Sequence, residues 1–196
     1  GWLTTGPKVK LLESQITELC QTNVTICVNS WTSGMLLLIK WLKLDEEDEI
    51  IIPTYTYAAS ALSVINSRVK CVFVDVNSDF TINIDEVKKA ITEKTKAIMP
   101  VDLGGLPADY IALNKLLKKD IVKSRFKPKT DFQKKIGRPV VISDAAHSIG
   151  SLINGSPTPL FSDFSVFSFH SVKNITTGEG GAITFKIFDD VQDRLI

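Results

Sequence analysis

Lys173 is the residue whose type and setting most directly suggest chemistry in this sequence of 196 residues. It follows an apolar run, residues 163–168, and precedes a glycine-rich stretch, residues 176–181. Apolar surroundings remove solvation from a lysine ammonium group, which favours the neutral amine. A neutral amine can form a Schiff base with a carbonyl compound. Taken alone, the segment also fits an ordinary solvated surface lysine.

Asp144 and His147 follow another apolar run, Pro139–Ser143. A carboxylate directly after a buried strand is costly unless it is hydrogen-bonded or paired with a cation. A protonated ring nitrogen of a ligand would satisfy Asp144, and so would the N-terminus of a helix. His147 lies close enough along the chain to join the same pocket. Taken alone, the two residues also fit a helix cap and an ordinary hydrogen-bonded histidine.

Two further segments carry groups suited to a flat, anionic ligand. Asn29–Gly34 leads into a predicted helix, and hydroxyls with free N–H groups at a helix N-terminus attract phosphate. The segment also fits simple capping by Thr32 or Ser33, and it contains neither the Walker nor the G-x-G-x-x-G pattern. Tyr55 and Tyr57 could stack on a planar ring, or they could pack as core or interface aromatics.

These segments lie between strands and helices that alternate along the chain. Short apolar, β-branched runs predict seven strands, at Val24–Val28, Glu49–Ile52, Lys70–Asp75, Thr95–Val101, Pro139–Ser143, Asp163–Ser168 and Gly181–Phe185. Helical spacing predicts four helices between them, at Ser33–Leu44, Ala58–Asn66, Asp85–Ile91 and Ala108–Lys118. Such alternation is typical of an α/β fold with a mostly parallel sheet and helices on both faces.

The last two predicted strands are joined without room for a packed helix, so one strand at that end is expected to run antiparallel. In α/β sheets, ligands bind outside the carboxyl ends of the strands. Each of the four groups follows a different strand, so the fold can gather them at one edge. A phosphate cradle, an aromatic plate, a carboxylate and a Schiff-base lysine are together what pyridoxal phosphate requires.

Four motifs resemble those of the DegT/DnrJ/EryC1/StrS sugar aminotransferases. They are Gly1–Pro7, Asn29–Gly34, Asp144–His147 and Ser168–Gly181, and the last two are highly specific. The resemblance implies the large domain of the type I pyridoxal-phosphate-dependent transferase fold (aspartate-aminotransferase-like), with a seven-stranded sheet. Residues 1–196 would form this one cofactor-binding domain, with the family's N-terminal helix and small C-terminal domain outside them. Relatives are dimers with the active site at the subunit interface.

The resemblance also implies a role for individual residues. Lys173 would form the Schiff base with the cofactor and then shuttle a proton, and Asp144 would bind the pyridinium nitrogen. The other cofactor contacts implied are Tyr57 on the ring, Thr32, Ser33 and Ser168 on the phosphate, and His147 near the 3-hydroxyl group. Thr4 and Thr5 would lie in a loop that approaches the sugar.

These assignments predict a transaminase that moves an amino group from an amino acid, with glutamate as the expected donor, to a keto sugar attached to a nucleotide. A catalytically inactive or regulatory relative that acts as a sugar-binding or dimerising module is the alternative. A subgroup of the family performs dehydration and carries histidine in place of the lysine. Lys173 argues against that subgroup.

Composition excludes several other classes of protein. The sequence is 44% hydrophobic and 23% charged, which is ordinary for a globular domain. Its three cysteines form no C-x-x-C pair, which disfavours a disulfide scaffold or a zinc site. A net charge of +1 gives no case for nucleic-acid binding, and no apolar run is long enough for a membrane span. We therefore expect a cytoplasmic protein without nucleic-acid or membrane partners and without a metal. The family resemblance implies that it is a homodimer.

The segment Lys119–Arg138 is unusually basic, with eight Lys or Arg residues against two Asp residues. It is longer than the corresponding turn in many relatives, and an irregular, solvated insertion is the expectation. A docking patch for an anionic partner is the alternative. The abrupt start at Gly1 and the amphipathic stretch Phe188–Ile196 at the other end suggest a piece of a longer protein.

Overall fold

A seven-stranded sheet forms the centre of the computed structural model, which describes residues 5–186. Its strands are β1 (Val24–Val28), β2 (Glu49–Pro53), β3 (Lys70–Val74), β4 (Thr95–Ile98), β5 (Val140–Asp144), β8 (Phe164–Ser168) and β9 (Gly181–Phe185). A separate hairpin contains β6 (Leu152–Ile153) and β7 (Ser156–Pro157). The α/β class and the seven-stranded sheet that the sequence predicts are confirmed.

The sheet is mostly parallel, in the order β1–β9–β8–β5–β4–β2–β3. Strands β3, β2, β4, β5 and β8 pair in parallel, whereas β9 runs antiparallel to both of its neighbours. The connection between β8 and β9, residues 169–180, contains no helix. This explains the exception, because parallel neighbours are usually joined by a crossover that packs a helix on the sheet. The carboxyl ends of the parallel strands therefore meet at one edge of the sheet.

Helices cover both faces of the sheet. They are α1 (Pro7–Cys20), α2 (Trp31–Trp41), α3 (Ala58–Asn66), α4 (Ile84–Ala90), α5 (Tyr110–Leu117), α6 (Asp120–Arg125) and α7 (Asp131–Ile136). Strand β2 shows the division: Ile50 and Ile52 pack in one apolar cluster with α2, whereas Ile51 packs in another with α4 and α5. Successive side chains of a strand point to opposite faces, so β2 is buried on both sides.

Helices α1 and α2 differ from the elements that the sequence predicts. Helix α1 is absent from the prediction because Ile16 and Cys20 are its only two buried residues, so its apolar periodicity is weak. Helix α2 begins at Trp31 rather than Ser33. The reason is a capping box, in which the Ser30 hydroxyl accepts the Ser33 N–H at 3.1 Å while the Ser33 hydroxyl accepts the Ser30 N–H at 3.2 Å.

The basic segment is helical rather than irregular, which corrects the sequence-based expectation. It contains α6 and α7, each too short for a clear apolar period. Lys129, between these helices, holds the segment to the main body, since its Nζ lies 2.8 Å from Asp45 Oδ1 and 2.9 Å from Asp48 Oδ1. Val122 and Phe126, which belong to the segment, are buried. The segment therefore packs against the core, although its many charged residues predict a solvated loop.

Strand β4 ends at Ile98 rather than Val101, and Val101 makes an isolated bridge to Asp144 instead.

None of the helices described within residues 5–186 is long and apolar enough to cross a bilayer. Thr5 is exposed just ahead of α1. Thr4 and the stretch Phe188–Ile196 lie outside the described residues.

Candidate active site

A cavity of about 330 Å³ opens at the edge of the sheet where the parallel strands end. Segments that follow five different strands form its wall, which is where ligands bind in open α/β sheets. Six of the seven site residues predicted from the sequence line it: Thr32, Tyr57, Asp144, His147, Ser168 and Lys173. The seventh, Ser33, turns its hydroxyl back toward the carbonyl oxygen of Ser30, at 2.9 Å, as part of the helix cap.

Lys173 and His147 meet inside this cavity. The Nζ atom of Lys173 lies 2.7 Å from Nε2 of His147, although the two residues are on separate loops. The other ring nitrogen, Nδ1, accepts the backbone N–H of Gly104 at 3.2 Å. Partial burial lowers the pKa of His147, and the neighbouring Lys173 lowers it further. The imidazole is therefore held neutral at neutral pH.

This pairing constrains the hydrogen positions. A neutral imidazole has one N–H donor and one acceptor nitrogen. Because Nδ1 accepts the hydrogen of Gly104, the imidazole hydrogen lies on Nε2 and points toward Lys173. The contact fixes the position of the Lys173 nitrogen inside the cavity. From this position, the amine form of a lysine can attack a carbonyl group.

Asp144, the last residue of β5, is buried at the wall of the cavity. Its Oδ2 accepts the hydroxyl of Ser60 at 2.8 Å, and Ser60 in turn accepts the hydroxyl of Thr56 at 2.8 Å. Its Oδ1 accepts the N–H of Ala146 at 3.3 Å. Burial raises the pKa of Asp144 to about 6, although the bonds from Ser60 and Ala146 oppose the rise. A cation bound in the cavity would lower this pKa again.

The N-terminus of α2 is the part of the cavity suited to an anion. Ser30 is its N-cap, so Thr32 has no capping role and Ser33 takes part as the partner of Ser30 in the capping box. Thr32 lines the cavity in the first turn of the helix, and Ser168, at the end of β8, lies on the wall beside it. Free N–H groups and two hydroxyls at a helix N-terminus form a suitable environment for a phosphate group.

Gly181 allows β9 to approach this N-terminus closely. A Cβ atom at this position would lie 2.7 Å from the carbonyl carbon of Ser30 and 2.8 Å from the nitrogen of Trp31. Carbon atoms in folded proteins do not approach backbone atoms so closely without displacement. The absence of a side chain at Gly181 therefore allows β9 to lie against the turn at the start of α2.

The two tyrosines after β2 have different surroundings. Tyr55 packs against Phe80, with ring centroids 4.8 Å apart. Tyr57 lines the cavity and is 81% exposed, which leaves its ring accessible to a ligand. Neither residue is a core aromatic.

Four residues at the site escaped the sequence analysis: Thr56, Ser60, Asp102 and Gly104. Ser60 lies within a helix among alanines, where a serine gives no signal of its own. Asp102 did carry a signal, because it directly follows the predicted strand Thr95–Val101 as Asp144 follows the predicted strand Pro139–Ser143, and a carboxylate in that position needs a partner.

Comparison with known proteins identifies the family. The model of the DegT/DnrJ/EryC1/StrS aminotransferase family matches residues 1–123 and 133–192. The chain belongs to this family. The unmatched residues 124–132 fall inside the basic segment, which is the part that sequence analysis singles out as longer than in many relatives.

Two solved structures and one curated protein illustrate the family likeness. Spr1654 from Streptococcus pneumoniae, assigned as a sugar aminotransferase and solved in a PLP form, is 41% identical with a TM-score of 0.93, over 98% of this chain and 49% of its own. DesI, solved in the presence of its TDP-sugar product, is 28% identical with a TM-score of 0.78, over 94% of this chain and 42% of its own. The uncharacterised protein MJ1066 from Methanocaldococcus jannaschii is 35% identical, over 93% of this chain and 43% of its own.

This family member therefore has the type I fold of pyridoxal-phosphate-dependent sugar aminotransferases. It spans less than half of the length of each of the three proteins compared above.

Proposed function

We propose that this protein is a pyridoxal-phosphate-dependent aminotransferase that transfers the amino group of an amino acid to a nucleotide-linked keto sugar. The observation that carries the proposal is the meeting of Lys173 and Asp144 in one cavity beside the N-terminus of α2. Family membership supports the same reaction class. The nucleotide-linked sugar is supported by the TDP-sugar product of DesI, and glutamate is the donor that the family resemblance implies.

Pyridoxal phosphate fits the residues of the cavity. Asp144 is a buried carboxylate on its wall that accepts hydrogen bonds from Ser60 and Ala146 but forms no ion pair within the described residues. A protonated ring nitrogen would supply the missing positive charge. When bound, the cofactor supplies an aldehyde that links to an amine and a ring that accepts electrons.

The residues of this chain divide the remaining work. The Lys173 nitrogen would supply the amine that links to the cofactor, and it would carry a proton from the carbon of the amino donor to the cofactor. His147 orients this nitrogen through its Nε2 hydrogen. Thr32 and Ser168 bind the phosphate together with the N–H groups of α2, and Tyr57 covers the ring.

Catalysis explains this cavity better than a purely sugar-binding or dimerising role. A binding module has no use for a lysine nitrogen that an imidazole holds in position inside the cavity. It also has no use for a buried carboxylate aimed at a site without a cation. Lys173 likewise favours amination over the dehydration that relatives with histidine at this position perform.

A second copy of the protein would cover the cavity mouth. Tyr57 and Val172 line the cavity and are 81% and 77% exposed. Exposed apolar side chains around a binding site favour association, and proton transfer benefits when water is excluded. We therefore propose a homodimer in which the mouth of the cavity lies at the subunit interface.

A cytoplasmic location agrees with the state of the cysteines. Cys20, Cys27 and Cys71 are free thiols. Burial raises the pKa of the Cys20 thiol to about 12 and that of Cys71 to about 11. Protonated, unpaired thiols suit a reducing compartment, and fractionation of the source cells tests this location directly.

The proposal is tested by trapping the cofactor on the full-length protein. After incubation with pyridoxal phosphate and reduction with borohydride, mass analysis of a digest is expected to place the cofactor on the peptide that contains Lys173. Lys173→Ala should take up no fixed cofactor and should lose transamination of nucleotide-linked keto sugars by glutamate. Lys118→Ala, which removes an exposed lysine outside the cavity, is the control.

Two results would contradict the proposal. A wild-type protein that takes up no cofactor would exclude the enzyme class. Transamination of keto acids without turnover of any nucleotide-linked keto sugar would agree with the proposed cofactor but would contradict the proposed sugar substrate.

A further inference from the structure

Asp102 carries a second buried carboxyl group on the wall of the cavity. Its Oδ1 contacts the Tyr110 hydroxyl at 2.8 Å and the Ala108 N–H at 3.1 Å. Its Oδ2 contacts the hydroxyls of Ser143 at 3.0 Å and Ser148 at 2.7 Å. Tyr110 and Ser143 also contact each other, with 2.7 Å between their hydroxyl oxygens. The Asp102 carboxyl, Tyr110 and Ser143 therefore form a closed ring of three contacts.

The number of hydrogens in this ring decides its charge. Each hydroxyl contributes one hydrogen, so Tyr110 and Ser143 provide two hydrogens for three short oxygen–oxygen contacts. With an ionised Asp102, one contact would bring two oxygens together at 2.7–3.0 Å without a hydrogen between them. A protonated carboxyl group supplies the third hydrogen, and every contact in the ring becomes a hydrogen bond.

The surroundings of Asp102 also favour a protonated carboxyl group. The titratable groups that face it are Tyr110, on α5, and Asp144, on β5. Within residues 5–186, its hydrogen bonds come from hydroxyls and one backbone N–H, and none comes from a cationic side chain. Burial raises the pKa of Asp102, and the hydrogen bonds only partly oppose the rise. Tyr110 remains protonated, because burial raises its pKa as well.

We propose that Asp102 is held as an uncharged carboxylic acid at neutral pH and that it acts as a positioning residue for Asp144. The segment that contains Asp102 is joined directly to Asp144, since the Asp102 N–H donates to the Asp144 carbonyl oxygen at 3.1 Å and the Asp144 N–H donates to Pro100 at 2.9 Å. Ser143 precedes Asp144 at the end of β5, and its side chain is part of the ring of contacts with Asp102 and Tyr110. The ring therefore also holds this end of the strand in place.

The absence of charge on Asp102 matters for the charge on Asp144. A negative charge on Asp102 raises the pKa of Asp144 by repulsion. With Asp102 uncharged this repulsion is removed, and Asp144 ionises more readily. The cavity then offers one anionic carboxylate to a positively charged ring nitrogen. This consequence rests on the proposed function, whereas the protonation state of Asp102 does not.

Protonation of Asp102 has a measurable effect on folding stability. An aspartate in the unfolded chain ionises near its ordinary pKa of about 3.9, so at neutral pH unfolding releases the proton that the folded state retains. The free energy of unfolding therefore falls as the pH rises, until the pH reaches the pKa of the folded state. A carboxylate that is ionised in both states contributes no such slope.

The test compares the unfolding equilibria of the wild-type protein and Asp102→Asn in urea at several pH values. The ratio of the wild-type unfolding constant to that of the variant should rise about tenfold per pH unit between about pH 6.5 and pH 8. Contributions from other groups cancel in this ratio. A ratio that stays constant with pH would show that Asp102 is ionised and would overturn the proposal.

Asp163→Asn is the matched control. Asp163 is also buried, but the guanidinium group of Arg138 binds both of its oxygens, at 2.8 and 2.9 Å. Because its carboxylate is paired with a guanidinium group, the ratio of the wild-type unfolding constant to that of Asp163→Asn should not change across this range. The control shows that a pH-dependent ratio is specific to Asp102 rather than general to buried aspartates.

A second measurement keeps the proposal testable if Asp102→Asn does not fold. The infrared spectrum of the wild-type protein at pH 8 should contain the band of a protonated carboxylic acid, because Asp144, with a pKa of about 6, is ionised there. Absence of this band would overturn the proposal. Neither measurement uses the cofactor or the sugar, so failure here and failure of the proposed function are separate results.

Discussion

Ser60 determines how readily the carboxyl group of Asp144 ionises. Burial raises the pKa of Asp144, and the largest opposing effect is the hydrogen bond that the Ser60 hydroxyl donates to it. Thr56 completes this relay by donating to Ser60. The negative charge that would bind a ring nitrogen thus depends on hydroxyl groups next to and within α3.

Ser60→Ala is expected to raise the pKa of Asp144. A hydrogen bond to a charged group contributes about 1.5–3 kcal/mol, which corresponds to about one to two pH units. Protonated Asp144 cannot balance a positive ring nitrogen, so cofactor affinity falls as the pH falls through this pKa. The midpoint of that loss, measured by absorbance titrations of the full-length protein, should move to higher pH by about this amount.

Ser63→Ala is the matched control for this change. Ser63 is a buried serine one turn further along α3, and its hydroxyl donates to the backbone oxygen of Ser60 at 2.9 Å rather than to Asp144. Its removal should leave the midpoint in place. An equal shift in both variants would mean that disturbance of α3, and not the bond to Asp144, causes the effect.

At the scale of secondary structure elements, the close approach of β9 to the N-terminus of α2 forms the turn that we propose binds phosphate. The capping box of Ser30 and Ser33 starts the helix, and Gly181 lets the strand lie against the cap. Each feature is local in sequence, but the turn takes its position only because β9 packs against the N-terminus of α2 in the folded protein.

Gly181→Ala should separate these two elements. The new Cβ would lie within 2.8 Å of backbone atoms of Ser30 and Trp31, which cannot rotate away. We expect a loss of stability of about 1–3 kcal/mol, as for other overpacked sites, together with weaker binding of pyridoxal phosphate. Urea unfolding and absorbance titration of the full-length protein measure the two effects.

Gly34→Ala provides the comparison within α2. The nearest atom to its new Cβ would be Cγ1 of Val166 at 3.1 Å, which belongs to a side chain and can shift. Its effect on stability should be smaller than that of Gly181→Ala, and cofactor affinity should change little. Equal effects of the two substitutions on affinity would exclude a special role for the contact between β9 and the cap.

At the scale of the whole molecule, the cavity and the basic segment lie at opposite ends of the sheet. Lys129 anchors the basic segment beside the start of β2, through Asp45 and Asp48, whereas the cavity lies beyond the carboxyl ends of the strands. The exposed apolar side chains at the cavity mouth are therefore the ones that a second subunit must cover if dimerisation completes the site.

Val172→Glu is expected to weaken the homodimer. Val172 is 77% exposed at the cavity mouth, and burying a carboxylate without a partner in an interface is strongly unfavourable. Light scattering of the full-length protein should report a dimer for wild type and a dissociation constant increased at least tenfold for the variant.

Ile121→Glu is the corresponding control, since Ile121 is an exposed apolar residue on α6 at the other end of the sheet. It should leave the dimer unchanged. A monomeric wild-type protein, or an equal effect of both variants, would contradict an interface at the cavity mouth.

Much of the fold follows from local patterns in the sequence. The seven strands of the sheet arise from short β-branched runs such as Glu49–Ile52, and the antiparallel end follows from a connection that contains no helix to pack on the sheet. The predictions failed where local signals were weak. Helix α1 buries only Ile16 and Cys20. The two helices in Lys119–Arg138 have six residues each, which is less than two turns, and charged residues dominate their sequence.

The sequence by itself determined which chemical groups follow which strands, because strand ends and turn residues are local properties. That was enough to place Thr32, Tyr57, Asp144, His147, Ser168 and Lys173 around one cavity. Only the tertiary structure decided how these groups are paired and protonated. The bond from Ser60 to Asp144 joins residues 84 positions apart, and the ring at Asp102 joins three segments. Such contacts depend on the packing of distant elements and on burial, which local patterns do not specify.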